Sequence, residues 1–352
     1  MTDLDKATFK DFNTSTLVDA EKVACAAFGG GHMSRILRKI LANPYAKEIG
    51  ANSFGDIAYI DGRPVAFQAI IPWRLYNGQV SFCAAVGSSL GVMPGTSPLV
   101  LLDLIQRPTS ARLGSRLQFA NTANLNTVRL TRFTNVTGRG GDSWKGYRYS
   151  IIHPIRFMCY LVWSKMIKRP YDKNAGYVLI DIDFVNSRGG IEIRRQTFID
   201  KVAFDDFWSR YIKSNKGIVS SRTADEVEWM FGEGVKCGTD VLLASFRNDA
   251  MCGYVIVWGE TVCRWKIVEM IAIDNDVSII AALLRTAKQF LLHHSHAAML
   301  RIYGFPEFIL NVIASEFPHR RPGTHVPFIY EPFDIPKETS WFFGPYDGDA
   351  DL

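Results

Sequence analysis

The chain has 352 residues, 47% of them hydrophobic, with 28 glycines and 15 prolines. Aromatic residues at 12% and a net charge of only +5, from 40 basic and 35 acidic side chains, exclude wholesale disorder as well as collagen-like, coiled-coil and mucin-like chains. A chain of this length makes one large domain or two medium ones, and it can bury a core without covalent staples.

The six cysteines form no CxxC pair and read as buried thiols of a reducing compartment. The opening residues, MTDLDKATFKDF, are polar and acidic, unlike a signal peptide. The apolar run at 157–163 is far short of the roughly 20 residues of a membrane span, so a cytoplasmic location is expected. The surrounding stretch, FMCYLVWSKMIKR, joins aromatics to a basic end. A core helix is its favoured reading, and peripheral membrane contact is the alternative. Charge is uneven along the chain. Between Arg107 and Arg156 nine basic residues accompany one acid, Asp142, which marks either a solvated face or a surface that meets an anion. Nucleic acid is not implied.

In chain order, residues 16–28 carry a helical stripe stopped by three glycines, and 33–41 a second one ended by Asn43-Pro44. Residues 55–60 and 64–72 read as strands joined by Asp61-Gly62. Residues 73–76 and 80–92 read as a second hairpin across Asn77-Gly78. A helix with proline at its start follows at 98–106, then a short strand at 117–121 and a helix at 125–133. After a basic stretch at 161–176 the order repeats. Strands are expected at 177–183 and 191–198, and helices at 204–212 and 223–231. Strands at 241–247 and 252–258 form a hairpin across Asn248-Asp249, and a long strand follows at 262–273. The clearest amphipathic helix of the chain spans 277–294, with Ile280, Leu283, Leu284, Ala287 and Leu291 on one stripe. A strand at 297–303, a helix at 306–317 and a strand at 326–331 complete the order.

The segments that carry a resemblance are GDIAYIDGRPVAFQAIIPWRL (55–75), GVMP before PLVLLDLIQ, and FANTANLNTVRLTRF (119–133). In the second half they are VLLASFRNDAMCGYVIVW (241–258), IVEMIAID before the long helix, and MLRIYGFPEFILNVIASEF (299–317). This order resembles the GNAT acyltransferase superfamily, and the whole chain resembles its tandem, FemAB-like members of polysaccharide and cell-envelope biosynthesis. The resemblance implies an α/β fold of two GNAT-like halves, each a mixed twisted sheet flanked by helices. The halves are expected at 1–160 and 177–352, with 161–176 connecting them. It implies an N-acyltransferase that moves an acyl group from acyl-CoA, or from an acyl carrier protein, to an amine of a sugar, glycan precursor or amino acid. A noncatalytic scaffold and an aminoacyl-tRNA-dependent transferase are the alternatives.

In that family the free edge of the fourth strand pairs with the pantetheine arm, and the next helix offers its N-terminus to the pyrophosphate. By position, the donor site would be Leu90, Val92, Gly95, Thr96 and Ser97, with Asn121 and Asn124 as further hydrogen-bonding side chains. The loop keeps one glycine of the family's Q/R-x-x-G-x-G/A pattern, and Pro98 removes a donor. In the second half Asp274 and Asp276 would repel a phosphate, and Asp276 reads as an N-cap. The resemblance offers Glu269 as general base and Tyr303 as acid, against an outward-facing strand charge and an ordinary core-edge tyrosine. His293, His294 and His296 close a helix C-terminus, and no metal is expected. The His319-Arg320-Arg321 loop and the cluster of Trp144, Lys145, Tyr147, Arg148 and Tyr149 are further candidate contacts for an anion or a sugar.

Overall fold

The computed structural model describes residues 6–29, 32–107, 115–119, 134–135, 147–166, 184–302, 306–321, 328–330 and 341–342. Strand β1 (Ala7–Asp11), absent from the sequence expectation, pairs antiparallel with β2 (Gly55–Ile60). Between them lie α1 (Leu17–Phe28), α2 (His32–Leu41) and α3 (Pro44–Glu48). Asn43 caps α3 by accepting the Ala46 N–H at 2.9 Å. Asp61 and Gly62, at φ 50° and 75°, turn β2 into β3 (Arg63–Asn77). Two positive φ values in succession give a turn whose twist matches the flanking strands. Next come β4 (Val80–Val92), α4 (Pro98–Gln106), β5 (Ser115–Phe119), β6 (Thr134–Asn135), β7 (Tyr147–Ile151) and α5 (Pro154–Met166).

The second run of elements begins with β8 (Val185–Arg188), β9 (Ile191–Gln196), α6 (Lys201–Ser214), β10 (Ile218–Ser220) and α7 (Ala224–Val227). The helix expected at 223–231 continues through a π-helical turn (Glu228–Gly232) into α8 (Glu233–Cys237). Strands β11 (Asp240–Arg247), β12 (Ala250–Gly259) and β13 (Arg264–Ala272) lead to α9 (Val277–His294). Then follow β14 (Met299–Ile302), α10 (Leu310–Glu316), β15 (His319–Arg321), β16 (Phe328–Tyr330) and β17 (Trp341–Phe342).

The stretches 64–72 and 73–76, expected as separate strands, form one strand, β3. Pro72 does not break it. On one side β2 pairs with β3 only as far as Ala69, and β10 begins at Leu75, so residue 72 faces a gap where no strand needs its N–H. The Pro72 carbonyl in that gap accepts from Asn43 Nδ2 at 3.2 Å.

Among the described residues, one sheet runs β1-β2-β3-β4-β5-β16-β6, with β10 also on β3 and β17 on β10. The other runs β15-β7-β14-β13-β12-β11-β9-β8. Both follow one plan. An antiparallel meander (β2-β3-β4 or β11-β12-β13) passes through a helix to a parallel neighbour (β5 or β14). The strand beyond that neighbour comes from the other half of the chain. Thus β16 pairs with β5, and β7 pairs with β14, across the boundary expected near 160.

A shared core joins the sheets. It takes Phe67, Ile71 and Val86 from the first, Leu242, Tyr254 and Ile271 from the second, and the apolar stripes of α1, α2 and α6. On the outer faces, Val100 and Leu104 of α4 cover the first sheet. Ile280, Leu283, Leu284, Ala287 and Leu291 of α9 cover the second, as their spacing predicts. Each such large apolar side chain, fully buried, stabilises the fold by about 1.5–3 kcal/mol. No disulfide joins any of the six cysteines. Among the described residues no helix is long and apolar enough to cross a membrane.

Candidate active site

The parallel strands at the centre of each sheet separate partway along. In the first sheet β4 pairs with β5 from Ala84 opposite Ser115 to Gly87 opposite Gln118, and no further. Among the described residues, no strand pairs with residues 88–92 on this side of β4. On its other side β4 stays paired with β3 to Val92, which holds this edge rigid. The register slips by one residue between Gln68–Ile70 and Gly87–Leu90, a bulge at Ser88 and Ser89. A bulge re-aims backbone and side chains and is enriched beside active sites. The Ser88 hydroxyl is buried and has no hydrogen-bond partner among the described residues.

The side chains of Leu90 and Val92 pack against the core under α4, so these residues offer the opening only their backbone. Gly91 has no room for a side chain, because a Cβ there would lie 2.2 Å from the Phe67 ring. Beyond β4, the Thr96 N–H donates to the Met93 carbonyl at 3.2 Å, closing a turn around Gly95 at φ 85°. The Thr96 hydroxyl also donates to Met93 O, at 2.8 Å. Ser97 caps α4, accepting from Leu99 N–H at 3.3 Å, and its carbonyl takes the Val100 N–H at 3.1 Å. Together with Pro98, these bonds leave the first turn of α4 with few donors for an anion.

The second sheet repeats the opening. There β13 pairs with β14 only from Arg264 to Lys266, and its register against β12 slips between Ile267 and Glu269. On β13 beyond that pairing lies a buried ion pair. Glu269 is 1% exposed and meets Arg222, 0% exposed, at 3.2 Å between Oε2 and Nη2. Arg222 also donates to the Ser220 carbonyl and hydroxyl, both at 2.7 Å, and lies 5.5 Å from the Phe342 ring centroid. Glu269 is thus neither on an outward face nor open to solvent. At the start of α9, Asp276 accepts from Ser278 and Ile279 N–H at 2.8 and 3.4 Å, as an N-cap should.

No family model and no curated protein matches the chain. Solved structures do match. A GCN5-related N-acetyltransferase from Kribbella flavida has a TM-score of 0.55 at 12% identity, over 92% of this chain and 70% of its own. A candidate acetyltransferase from Pyrococcus horikoshii has a TM-score of 0.54 at 13% identity, over 97% and 96%. The chain has the GNAT fold. Saccharomyces cerevisiae N-myristoyltransferase with bound myristoyl-CoA is similar as well, with a TM-score of 0.55 at 11% identity, over 94% and 79%. Identities this low establish the fold alone.

Of the expected GNAT site residues, Leu90, Val92, Gly95, Thr96 and Ser97 come together along the end of β4 and the start of α4. Asn121, Asn124 and Tyr303 lie outside the described residues, as do Trp144 and Lys145. Two features were missed in the sequence. Arg222 has no signal there, because its partner is 47 positions away (269 minus 222) and only the packing of β10 against β3 delivers it. The buried Ser88 hydroxyl has a faint one, two serines interrupting an apolar strand. The α4 turn, with the hydroxyls of Thr96 and Ser97 engaged, offers an anion few donors.

Proposed function

We propose that this chain is an N-acyltransferase whose reaction centre is the opening beside β4, with acyl-CoA as donor. The observation that carries this reading is the edge at 88–92, unpaired among the described residues, with the bulge that holds the buried Ser88 hydroxyl, which has no hydrogen-bond partner among them. The donor's pantetheine would add to this edge as an extra strand, bringing its thioester to the bulge. The acceptor amine attacks the thioester carbonyl, a C–N bond forms, the C–S bond breaks, and the thiolate leaves and takes up a proton. Backbone N–H groups at the bulge are suited to the developing oxyanion, and Ser88 to the sulfur or the carbonyl oxygen. From the FemAB-like resemblance the acceptor is an amine of a sugar, glycan precursor or amino acid. The buried Arg222–Glu269 pair favours the first half over the second, since a carboxylate held by a guanidinium is a poor base.

A second reading of the donor is favoured by the closed turn at Met93–Ser97. A carrier protein brings pantetheine on a single phosphate and supplies its own docking surface, so it does not need the α4 cradle. Thermal stability measured with acetyl-CoA, free CoA and S-acetyl-pantetheine tests both readings. Saturation at about 100 times the dissociation constant adds about 2.7 kcal/mol, a clear rise in Tm. A rise with acetyl-CoA and with acetyl-pantetheine at similar affinity supports the pantetheine edge and a minor role for the α4 turn. A rise with acetyl-CoA alone restores the pyrophosphate site. No rise with any of them removes free acyl-CoA as the donor and leaves the carrier-protein donor or a noncatalytic module.

A further inference from the structure

Helix α5 turns its apolar side outward. Its exposed positions are Pro154, Ile155, Met158, Cys159 and Val162, a spacing that places all of them on one face. Ile155 is 71% exposed, Met158 59% and Val162 52%. The inward side carries Arg156, Phe157, Tyr160 and Leu161. Contacts fix this orientation. The Arg156 guanidinium donates to the Ser295 carbonyl at 2.7 Å, and the Phe157 ring stacks on Tyr149 at 6.0 Å between centroids. The helix is therefore apolar on both sides, whereas an ordinary surface helix turns charged and polar residues to water.

The cations lie beside this stripe. Tyr149 stacks on His319 at 5.0 Å, so a ladder of rings joins α5 to β15, the edge strand of its sheet. His319, Arg320 and Arg321 of β15 are all exposed and make no ion pair among the described residues. In sequence, the helix leads directly into Lys165, Lys168 and Arg169. An apolar stripe bordered by exposed cations is the signature of a helix lying in the plane of an anionic bilayer.

We propose that α5 and β15 form a membrane-docking face. Ile155, Met158 and Val162 enter the boundary between headgroups and acyl chains, and Arg321, on the same face of β15 as His319, meets the negative headgroups. Charge decides against a second copy of this chain as the occupant, because its own face is equally cationic. The face is separate from the β4 opening, so the proposal stands whether or not acyl transfer is found.

Flotation of the full chain with vesicles tests it. The probes are phosphatidylcholine alone and phosphatidylcholine with about 30% phosphatidylserine, at low and high salt. The expected result is co-flotation with the serine-containing vesicles, weakened by salt, and about tenfold less with phosphatidylcholine alone. Ile155→Asp/Met158→Asp and, separately, Arg321→Glu each lower flotation with Tm unchanged, the first pair about tenfold, since all three side chains are exposed. Absence of flotation with anionic vesicles overturns the proposal, as does flotation that the aspartates leave intact. A dimer in light scattering that Ile155→Asp/Met158→Asp turns into a monomer, without vesicle binding, overturns it in favour of a self-association face.

Discussion

Ser88 and Arg222 are both buried, and their partners separate two kinds of polar side chain. The Ser88 hydroxyl is buried without a partner among the described residues, so the fold gains nothing from it. Ser88→Ala should leave the urea midpoint unchanged or slightly raised while lowering turnover about 10- to 100-fold, as loss of a group that acts in the transition state does. A fall in stability with full turnover would make the hydroxyl structural. Arg222 is the opposite case. Arg222→Met strips the guanidinium from a carboxylate that is 1% exposed and should cost about 3–5 kcal/mol in urea denaturation. Adding Glu269→Leu should recover most of that loss, because two apolar groups need no solvation. If Glu269 were the base for the reaction, the double variant would be stable and inactive. With the reaction centred on β4 instead, the double variant should keep its activity.

At the scale of elements, the helix caps and the π-helical turn carry the testable content. Burial opposes the charge on Asp276. Hydrogen bonds from Ser278 and Ile279 and the Arg247 guanidinium outweigh it and hold the carboxyl below the usual aspartate range. A depressed folded pKa means that the cap contributes fully above the unfolded value, about pH 4, and fades as pH falls through the folded one. Asp276→Ala should therefore cost about 1 kcal/mol at neutral pH, and the gap from the parent chain should close in acid. The π-helical turn docks on α2 by a reciprocal pair. The Lys39 ammonium donates to the Met230 carbonyl, and Trp229 Nε1 donates to the Lys39 carbonyl at 2.8 Å. Trp229→Phe leaves that carbonyl without the indole donor and should cost about 1 kcal/mol, measured by chemical denaturation.

For the whole molecule, the exchange of β7 and β16 makes the two halves depend on each other. Residues 1–160 alone would carry β7 without its sheet and leave β5 without β16, and residues 177–352 alone would leave β14 without β7. Each fragment also exposes its side of the shared core. Calorimetry of the full chain should show a single transition. Each half expressed alone should be digested rapidly by protease, and co-expression of the two should restore protection. Independent, protected halves would mean that the crossing strands contribute little.

Local rules made much of the fold legible. Periodicity gave α9 and the stripe it buries, Pro98 gave the start of α4, and Asp61-Gly62 and Asn248-Asp249 gave hairpin turns at positive φ. The strand and helix that carry residues 90–97 were legible too, because they are adjacent in sequence. Other features needed the assembled chain. Pro72 reads as a strand end, yet it sits in the gap between β2 and β10, where its missing N–H costs nothing. Glu269 reads as an outward charge or a base until Arg222 arrives from another element. Residues 157–163 read as a core helix because apolar runs usually are, and only packing shows which side of α5 faces water. Sequence thus determined many of the elements and their order, since these follow from backbone propensity and pattern over neighbouring residues. Tertiary structure decided which strands cross between sheets, which buried carboxylate is paired and which apolar face is left bare, because burial and charge pairing depend on groups brought together from distant parts of the chain.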